Sequence, residues 1–187
     1  MKIKKILIIN NDTGAMKDIK ESINGHEYKI IHHKKLKADK IKDFTHIILT
    51  GGDHWVNLKK FSEEAKLIRS APCPILGICY GHQLIGRLFN SKLKKFKEII
   101  KGNVEIKILE KDGILKGVSK KLKVFEYRRY YLDNLGESLQ VIAESKFGIE
   151  SIKHKSLPIW GVQFHPEVVF EKENIGRKII KNFLKLK

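Results

Sequence analysis

Short apolar runs alternate with amphipathic stretches through the first half of this 187-residue chain, and that alternation limits the folds available to it. Runs such as PILGI at 74–78 contain no charged or polar side chain, which is typical of strands buried on both faces. Such strands in alternation with helices predict a parallel sheet covered by helices on both sides. The predicted strands span 3–9, 28–32, 46–50 and 74–78, and the predicted helices span 16–24, 58–70 and 81–90.

The second half of the chain has a different pattern, in which short strands are separated by turn residues. These strands are predicted at 104–109, 122–126, 139–144, 149–154 and 159–164. Their close spacing predicts antiparallel additions at one edge of the sheet. An amphipathic helix is predicted at 171–186. Because no linker or internal repeat interrupts the pattern, we expect a single α/β domain over 1–187 with an open, mostly parallel sheet.

The chain carries a formal net charge of +17, which raises nucleic acid as a possible partner. Only five of its 38 basic residues are arginine, and the lysines are spread along the sequence with no nucleic-acid-binding motif beside them. We therefore interpret the charge as a lysine-rich solvated surface, with an acidic partner surface as the open alternative. No apolar run approaches the roughly 20 residues that span a bilayer, so a cytoplasmic protein without a membrane partner is expected.

The chain has two cysteines, Cys73 and Cys79, too few for a disulfide scaffold. The second lies in GICYG at 77–81, which has the G-x-nucleophile-x-G form of a nucleophile elbow. In an elbow a strand turns sharply into a helix at the nucleophile, and the glycines relieve the crowding there. The thiol would sit at a helix N-terminus, which favours the thiolate. The alternative is that Cys79 is a small buried apolar residue, as most free cysteines are.

A histidine suited to act as the base for such a cysteine follows the predicted strand 159–164. Pro166 keeps His165 extended, and Glu167 could accept a hydrogen bond from its imidazole. A cysteine nucleophile needs a base that is oriented in this way. Taken alone, His165 is better explained as a surface histidine at a strand end. Its position after a buried strand, together with the cysteine elbow, favours the catalytic interpretation.

Two glycines, Gly51 and Gly52, end the predicted strand 46–50. Glycine is expected where backbone approaches a substrate closely, although an ordinary turn is the better explanation of the pair taken alone. In open α/β sheets, ligands bind at the carboxyl ends of the parallel strands. The glycine pair, Cys79 and His165 are therefore expected to converge on one site.

Three segments together resemble the class I glutamine amidotransferases, which use a Cys-His-Glu triad. They are TGGD at 50–53, PILGICYGHQL at 74–84 and KHKSLPIWGVQFHPEV at 153–168. Their order and spacing fit that family over essentially the whole chain. The resemblance implies a flavodoxin-like α/β domain that hydrolyses the side-chain amide of L-glutamine through a cysteine thioester. Such domains pass the ammonia to a synthetase domain or subunit.

The resemblance also implies which residues surround the glutamine. It assigns the triad to Cys79, His165 and Glu167. The other implied contacts are the oxyanion-hole N–H groups of Gly52 and Tyr80 and the substrate contacts of Gly51 and Gln83. No cluster of histidines, cysteines and carboxylates has the sequence spacing of metal ligands, so we expect no metal and no cofactor in this chain.

The segment 150–155, the PIWGVQFHPEV that follows and Val168 are most similar to the separate amidotransferase subunit of archaeal GMP synthase. This resemblance implies a hetero-oligomer with an ATP pyrophosphatase subunit that binds ATP and Mg²⁺ and converts XMP to GMP. Subunits of anthranilate or aminodeoxychorismate synthase are the alternatives. A hydrolase of γ-glutamyl or small peptide substrates on the same fold also stays open.

Three segments depart from the family pattern. The first strand is followed by NNDTG at 10–14, Asp53 stands where proline is usual, and YRRYYL at 127–132 replaces a loop that lies against the glutamine in relatives. Tyr131 falls near a position that is usually small and would narrow the pocket. These departures keep open a regulatory or binding module that no longer accepts glutamine.

Overall fold

The computed structural model describes residues 2–53, 55–57, 62–111, 113–169 and 175–187. Within those residues the chain forms one nine-stranded sheet and four α-helices. The strands are β1 (Lys5–Asn10), β2 (Glu27–His32), β3 (His46–Leu49), β4 (Ile75–Ile78), β5 (Lys92–Ile108), β6 (Lys121–Asp133), β7 (Leu139–Ser145), β8 (Gly148–His154) and β9 (Ile159–Val162). The helices are α1 (Met16–Ser22), α2 (Ser62–Ser70), α3 (Tyr80–Leu88) and α4 (Ile175–Phe183).

Five strands form the parallel half of the sheet, in the order β2-β1-β3-β4-β9. This is the flavodoxin-like order, and it confirms the predicted fold class. Every residue of β3 and β4 is buried, which explains why their sequences, apart from His46 at the start of β3, are apolar without alternation. The carboxyl ends of β1, β3, β4 and β9 lie at the same edge of the sheet, and the loops that follow them build the site.

Successive side chains of the parallel strands enter two different cores, one on each face of the sheet. Ile6 and Ile8 of β1 belong to the core that includes residues of α1 and α4. Leu7 and Ile9 belong to the core that includes residues of α2 and α3. Each buried isoleucine or leucine stabilises the fold by about 1.5–3 kcal/mol. The prediction of helices on both faces is confirmed.

Four strands extend the sheet beyond β9, and all their pairings are antiparallel, as predicted. Strand β5 begins at Lys92 rather than at residue 104, and its first part pairs with β6. Most side chains of 92–103 are exposed, and the segment lacks the apolar alternation that identifies a strand. Pairing with β6, and not local sequence, therefore makes this segment a strand.

Strand β6 also runs past its predicted end at residue 126, and charged residues at inward-facing positions explain the difference. Burial alternates along the strand through Leu122, Val124, Glu126 and Arg128. Nε of Arg128 lies 3.1 Å from Oε2 of Glu126, and its Nη2 lies 2.6 Å from Oε1 of Glu150 on β8. Paired charges thus occupy core positions, where a hydrophobic pattern cannot reveal them.

The helix bounds agree with the prediction to within a few residues where they can be compared. Positions 58–61 of the predicted helix 58–70 and positions 171–174 of the predicted helix 171–186 lie outside the described residues. In the part of the chain that the structure describes, no helix combines the length and apolar character needed to cross a membrane.

Candidate active site

Cys79 stands at the turn from β4 into α3, as the elbow pattern predicts. Its backbone has φ 47° and ψ −99°, a strained conformation for a residue with a side chain. The turn is closely packed, because a Cβ on Gly77 would lie 2.5 Å from the carbonyl carbon of Gly81, and one on Gly81 would lie 2.5 Å from the oxygen of Leu49. The backbone N–H of Cys79 donates to the oxygen of Val162 at 2.8 Å, which ties the elbow to β9.

His165 lies just beyond β9 and is oriented by Glu167. Its Nδ1 is 2.9 Å from Oε1 of Glu167, whose side chain is fully buried, whereas that of His165 is 12% exposed. A carboxylate accepts hydrogen bonds, so Nδ1 carries a proton and Nε2 is the nitrogen left for chemistry. Nε2 is buried and has no hydrogen-bond partner among the described residues.

The charge state of His165 depends on its two neighbours. Burial lowers the pKa of the imidazole, but the negative charges of Glu167 and of a Cys79 thiolate outweigh it, and the hydrogen bond to Glu167 acts in the same direction. The pKa of His165 is therefore raised well above its ordinary value. A histidine held in this way can keep a proton beside a thiolate at neutral pH.

The double glycine after β3 lies where Cys79 and His165 meet. A Cβ on Gly51 would lie 3.2 Å from Cε1 of His165 and 3.7 Å from Cβ of Cys79. A Cβ on Gly52 would lie 2.1 Å from the backbone oxygen of Asn11, so only glycine fits there without displacing the main chain just after β1. The structure thus brings the predicted segments together. The oxyanion-hole role of Gly52 and Tyr80 stays a prediction.

Two cavities border Cys79. One, of about 290 Å³, is lined by Gln83 and Tyr130 among others, and the second, of about 260 Å³, reaches His165 and the loop at 12–15. Gly52, Asp53, Cys79 and Tyr127 line both cavities. Substrate atoms in either cavity would therefore lie beside the sulfur.

The segment 127–132 forms part of β6 and borders Cys79. Sγ of Cys79 lies 3.8 Å from the backbone oxygen of Tyr127, which can accept a hydrogen bond from the thiol. Tyr131 was expected near the pocket, but its ring stacks on Phe96 with centroids 4.3 Å apart and lines neither cavity. Tyr127 and Tyr130 border the site instead.

The same strand is anchored by the buried charges of Glu126, Arg128 and Glu150. Burial, and then the hydrogen bond and charge of Glu150, raise the pKa of Glu126 to about 10, so Glu126 is protonated at neutral pH. Arg128 is then balanced by one carboxylate, that of Glu150. His82 is fully buried nearby, and burial followed by the charge of Arg128 lowers its pKa to about 3, which keeps it neutral.

Two buried glutamines complete the surroundings of the sulfur. Gln83, predicted to contact the substrate, lines the larger cavity. Nε2 of Gln83 donates to the backbone oxygen of Tyr130 and to Oε1 of Gln163, both at 3.1 Å. Nε2 of Gln163 lies 3.6 Å from Sγ of Cys79. Gln163 is not among the site residues predicted from the sequence, although a polar residue within the predicted strand 159–164, close to His165, is a signal that could have identified it.

One group of side chains has the composition of a metal site. The ligand atoms of Asp12, His32 and His33 lie within 4.8 Å of one another, an arrangement the sequence spacing did not predict. Nε2 of His32 is 2.7 Å from Oδ1 of Asp12, and Nε2 of His33 is 3.4 Å from Oδ2. The N–H of Lys34 donates to Nδ1 of His32, which leaves the ring proton on Nε2, facing Asp12. A metal needs a lone pair there, so hydrogen bonding describes this cluster better than ligation.

A flavodoxin-like sheet with a cysteine elbow and a His-Glu pair at its carboxyl edge defines the class I glutamine amidotransferases. The chain belongs to this family, since residues 7–186 match the family model for glutamine amidotransferase class-I. It is 39% identical over 164 residues to a subunit of GMP synthase (glutamine-hydrolyzing) from Pyrococcus abyssi, covering 87% of this chain and 86% of the relative. It is 30% identical to anthranilate synthase component 2 of Methanocaldococcus jannaschii, covering 98% of both chains.

Solved structures agree with this assignment. A Thermoplasma acidophilum protein proposed to be a GMP synthase subunit superposes with a TM-score of 0.90 at 26% identity, covering 98% of this chain and 94% of that one. A glutamine amidotransferase from Thermotoga maritima superposes with a TM-score of 0.73 at 20% identity, covering 97% and 83%, which supports the fold alone.

Proposed function

We propose that this chain is the glutaminase subunit of a GMP synthase, with Cys79 as nucleophile and His165, oriented by Glu167, as general acid and base. The observation that carries the proposal is the meeting of Cys79 and His165 at Gly51, beside two cavities. The 39% identity to the Pyrococcus abyssi protein supports the choice of synthetase.

In the proposed reaction the Cys79 thiolate attacks the carboxamide carbon of glutamine. The N–H groups of Gly52 and Tyr80 stabilise the oxyanion. His165 gives its proton to the leaving ammonia, and a γ-glutamyl thioester forms on Cys79. His165 then takes a proton from water, which attacks the thioester and releases glutamate. The raised pKa of His165 supports its role as the acid of the first half-reaction.

The proposed partner is an ATP pyrophosphatase subunit that binds ATP and Mg²⁺ and transfers the ammonia to XMP. Large apolar side chains at the cavity mouth support a docking surface there, since Ile99 and Tyr127, which line the cavity, are each 44% exposed. Trp55 is 48% exposed, and its ring lies 4.9 Å from that of Tyr130. A partner seated on this rim would cover the cavity and receive ammonia without loss to solvent.

The test is ammonia release from glutamine by wild type, Cys79→Ala and the control Cys73→Ala, with and without a candidate synthetase. We expect weak activity of the wild type alone and stimulation by the partner. Cys79→Ala should have no activity with glutamine, yet still support GMP formation from added ammonium in the mixed enzyme. Inactive wild type with a synthetase that works on ammonium would instead support the binding-module alternative.

A second candidate is the amidotransferase subunit of anthranilate synthase. It is favoured by the relative from Methanocaldococcus jannaschii, which matches nearly the full chain. Mixing this chain separately with an XMP-dependent and a chorismate-dependent synthetase distinguishes the two candidates. The true partner should stimulate glutamine hydrolysis, and only in the presence of its own acceptor substrate should ammonia be incorporated.

A further inference from the structure

A chain of side-chain amides links Cys79 to strand β6. Sγ of Cys79 faces Nε2 of Gln163 at 3.6 Å, Oε1 of Gln163 accepts from Nε2 of Gln83 at 3.1 Å, and that same Nε2 donates to the oxygen of Tyr130 at 3.1 Å. Gln163 is fully buried and Gln83 is 3% exposed. Neither amide can therefore exchange these partners freely for water.

The direction of the whole chain is fixed at Tyr130. A backbone carbonyl can only accept, so Gln83 must turn its NH₂ group towards Tyr130. The second hydrogen of that NH₂ group then points at Gln163, which must present its oxygen. This leaves the NH₂ group of Gln163 facing the sulfur of Cys79. Reversing either amide would set two donors or two acceptors against each other in a buried site, which is unfavourable.

We infer that Gln163 is a catalytic residue that holds the Cys79 thiolate by donating a hydrogen bond to Sγ, and that Gln83 positions it. The inference rests on the proposed glutaminase function and adds a residue to it. When the thiol proton moves to Nε2 of His165, the sulfur becomes a strong acceptor, and a hydrogen bond to a charged group is worth about twice a neutral one.

The other neighbour of the sulfur has the opposite polarity. The oxygen of Tyr127 lies 3.8 Å from Sγ and can accept a hydrogen bond from the neutral thiol, but it repels a thiolate. The hydrogen bond from Gln163 therefore stabilises the site most when the sulfur of Cys79 is ionised. Removing its NH₂ group should shift the sulfur towards the neutral thiol without removing the triad.

The experiment follows alkylation of Cys79 by iodoacetamide against pH, without glutamine or partner. All proteins carry Cys73→Ala, although burial already raises the pKa of the Cys73 thiol to about 11 and slows its reaction. The test variants are Gln163→Leu, Gln163→Glu and Gln83→Leu. The matched control is Gln140→Leu, an exposed glutamine on β7. Thermal unfolding of each variant confirms that it is folded.

For Gln163→Leu we expect the midpoint of the alkylation profile to rise by about one pH unit, which means about tenfold slower alkylation below the midpoint. Gln163→Glu should raise the midpoint further, because a second anion then faces the sulfur. Gln83→Leu should raise it less, since the Gln163 amide becomes free to rotate. Gln140→Leu should leave it unchanged.

The outcomes separate the inference from the proposed function. An unchanged midpoint in folded Gln163→Leu overturns the inference, as would equal midpoints in Gln163→Leu and Gln163→Glu. If Gln163→Leu does not fold, an unchanged midpoint in folded Gln83→Leu and Gln163→Glu overturns it equally. If the midpoints shift as expected but the protein does not hydrolyse glutamine with any partner, the inference about Gln163 holds and only the proposed function is contradicted. If the inference and the proposed function both hold, the glutaminase activity of Gln163→Leu should be about tenfold below that of the wild type at pH 6 and should recover as the pH rises.

Discussion

Three glycines that line the cavities at Cys79 or lie against it test how closely the backbone must approach the site, because the space for an added methyl group differs at each. At Gly52 the new Cβ would lie 2.1 Å from the backbone oxygen of Asn11, and at Gly51 it would lie 3.2 Å from Cε1 of His165. At Gly14 it would meet nothing within 4 Å. Ordinary contacts of a Cβ begin at 3.4 Å, so Gly52→Ala must move main chain by about 1.3 Å, whereas Gly51→Ala displaces an imidazole by a few tenths of an ångström.

These displacements predict a graded series. A shift of about 1 Å in an active site lowers rates about 100-fold, and forced overpacking of this kind destabilises a protein by about 1–3 kcal/mol. Gly52→Ala should therefore lose at least about 100-fold in kcat and about 1–3 kcal/mol in the free energy of unfolding. Gly51→Ala should lose about tenfold in kcat with little loss of stability. Gly14→Ala should match the wild type in both.

The assay is the initial rate of ammonia release with saturating glutamine and partner, together with urea denaturation of each variant. The order of the three activities is the decisive result, since all three changes add the same methyl group. A folded Gly52→Ala protein with wild-type kcat would refute the close approach of Gly52 to Asn11. If Gly14→Ala lowered kcat and stability as much as Gly52→Ala, the space around each added Cβ would not explain the effects, and the reasoning would be refuted.

Three further predictions test the buried charges. Burial raises the pKa of Glu64 from 4.5 to about 7, so the wild type loses stability as the pH rises from about 4.5 to about 7. Glu64→Gln lacks this loss. Urea denaturation should therefore show that it stabilises the protein by about 3 kcal/mol more at pH 8 than at pH 4. Arg128→Met leaves a buried carboxylate unpaired and should lower the free energy of unfolding by about 3–5 kcal/mol, whereas Arg129→Met, exposed on the same strand, should change it by less than about 0.5 kcal/mol. Glu167→Gln removes a charge that raises the pKa of His165 and should lower glutaminase kcat/KM by about 10- to 100-fold in a pH–rate profile; an unchanged profile would contradict the orienting role.

The parallel half of the fold was predictable because strands buried on both faces have continuous apolar sequences. Strands such as β3 and β4 can hold no polar side chain without a partner, so their apolar runs identify them. The ribbon made by the first part of β5 and the end of β6 has no such apolar pattern in its sequence. Its outward positions are lysine-rich. At an inward position of β6, Arg128 carries a charge that is paired only in three dimensions, by Glu150 on β8.

The candidate site was predictable at positions where the local backbone geometry admits only one or a few residue types. The elbow at Cys79 and the double glycine at Gly51 and Gly52 mark places where backbone crowding admits few residues, and the structure brings them together with His165. The polar surroundings of the sulfur were not predictable in the same way. They consist of the backbone oxygen of Tyr127, which a residue of any type would supply, and the side-chain amide of Gln163, whose orientation depends on its partner Gln83 on α3.

The sulfur of Cys79 lies between groups of opposite polarity that belong to different strands. The donor, Gln163, follows β9 in the fixed parallel half, whereas the acceptor, the oxygen of Tyr127, belongs to β6 in the antiparallel extension. A movement of β6 by about 1 Å away from Cys79 would weaken the contact that favours the neutral thiol and leave the one that favours the thiolate. Tyr127 also borders both cavities and is 44% exposed at the mouth of the site. A partner that docks on this rim and moves β6 would therefore change both the ionisation of Cys79 and the space around it through the same strand.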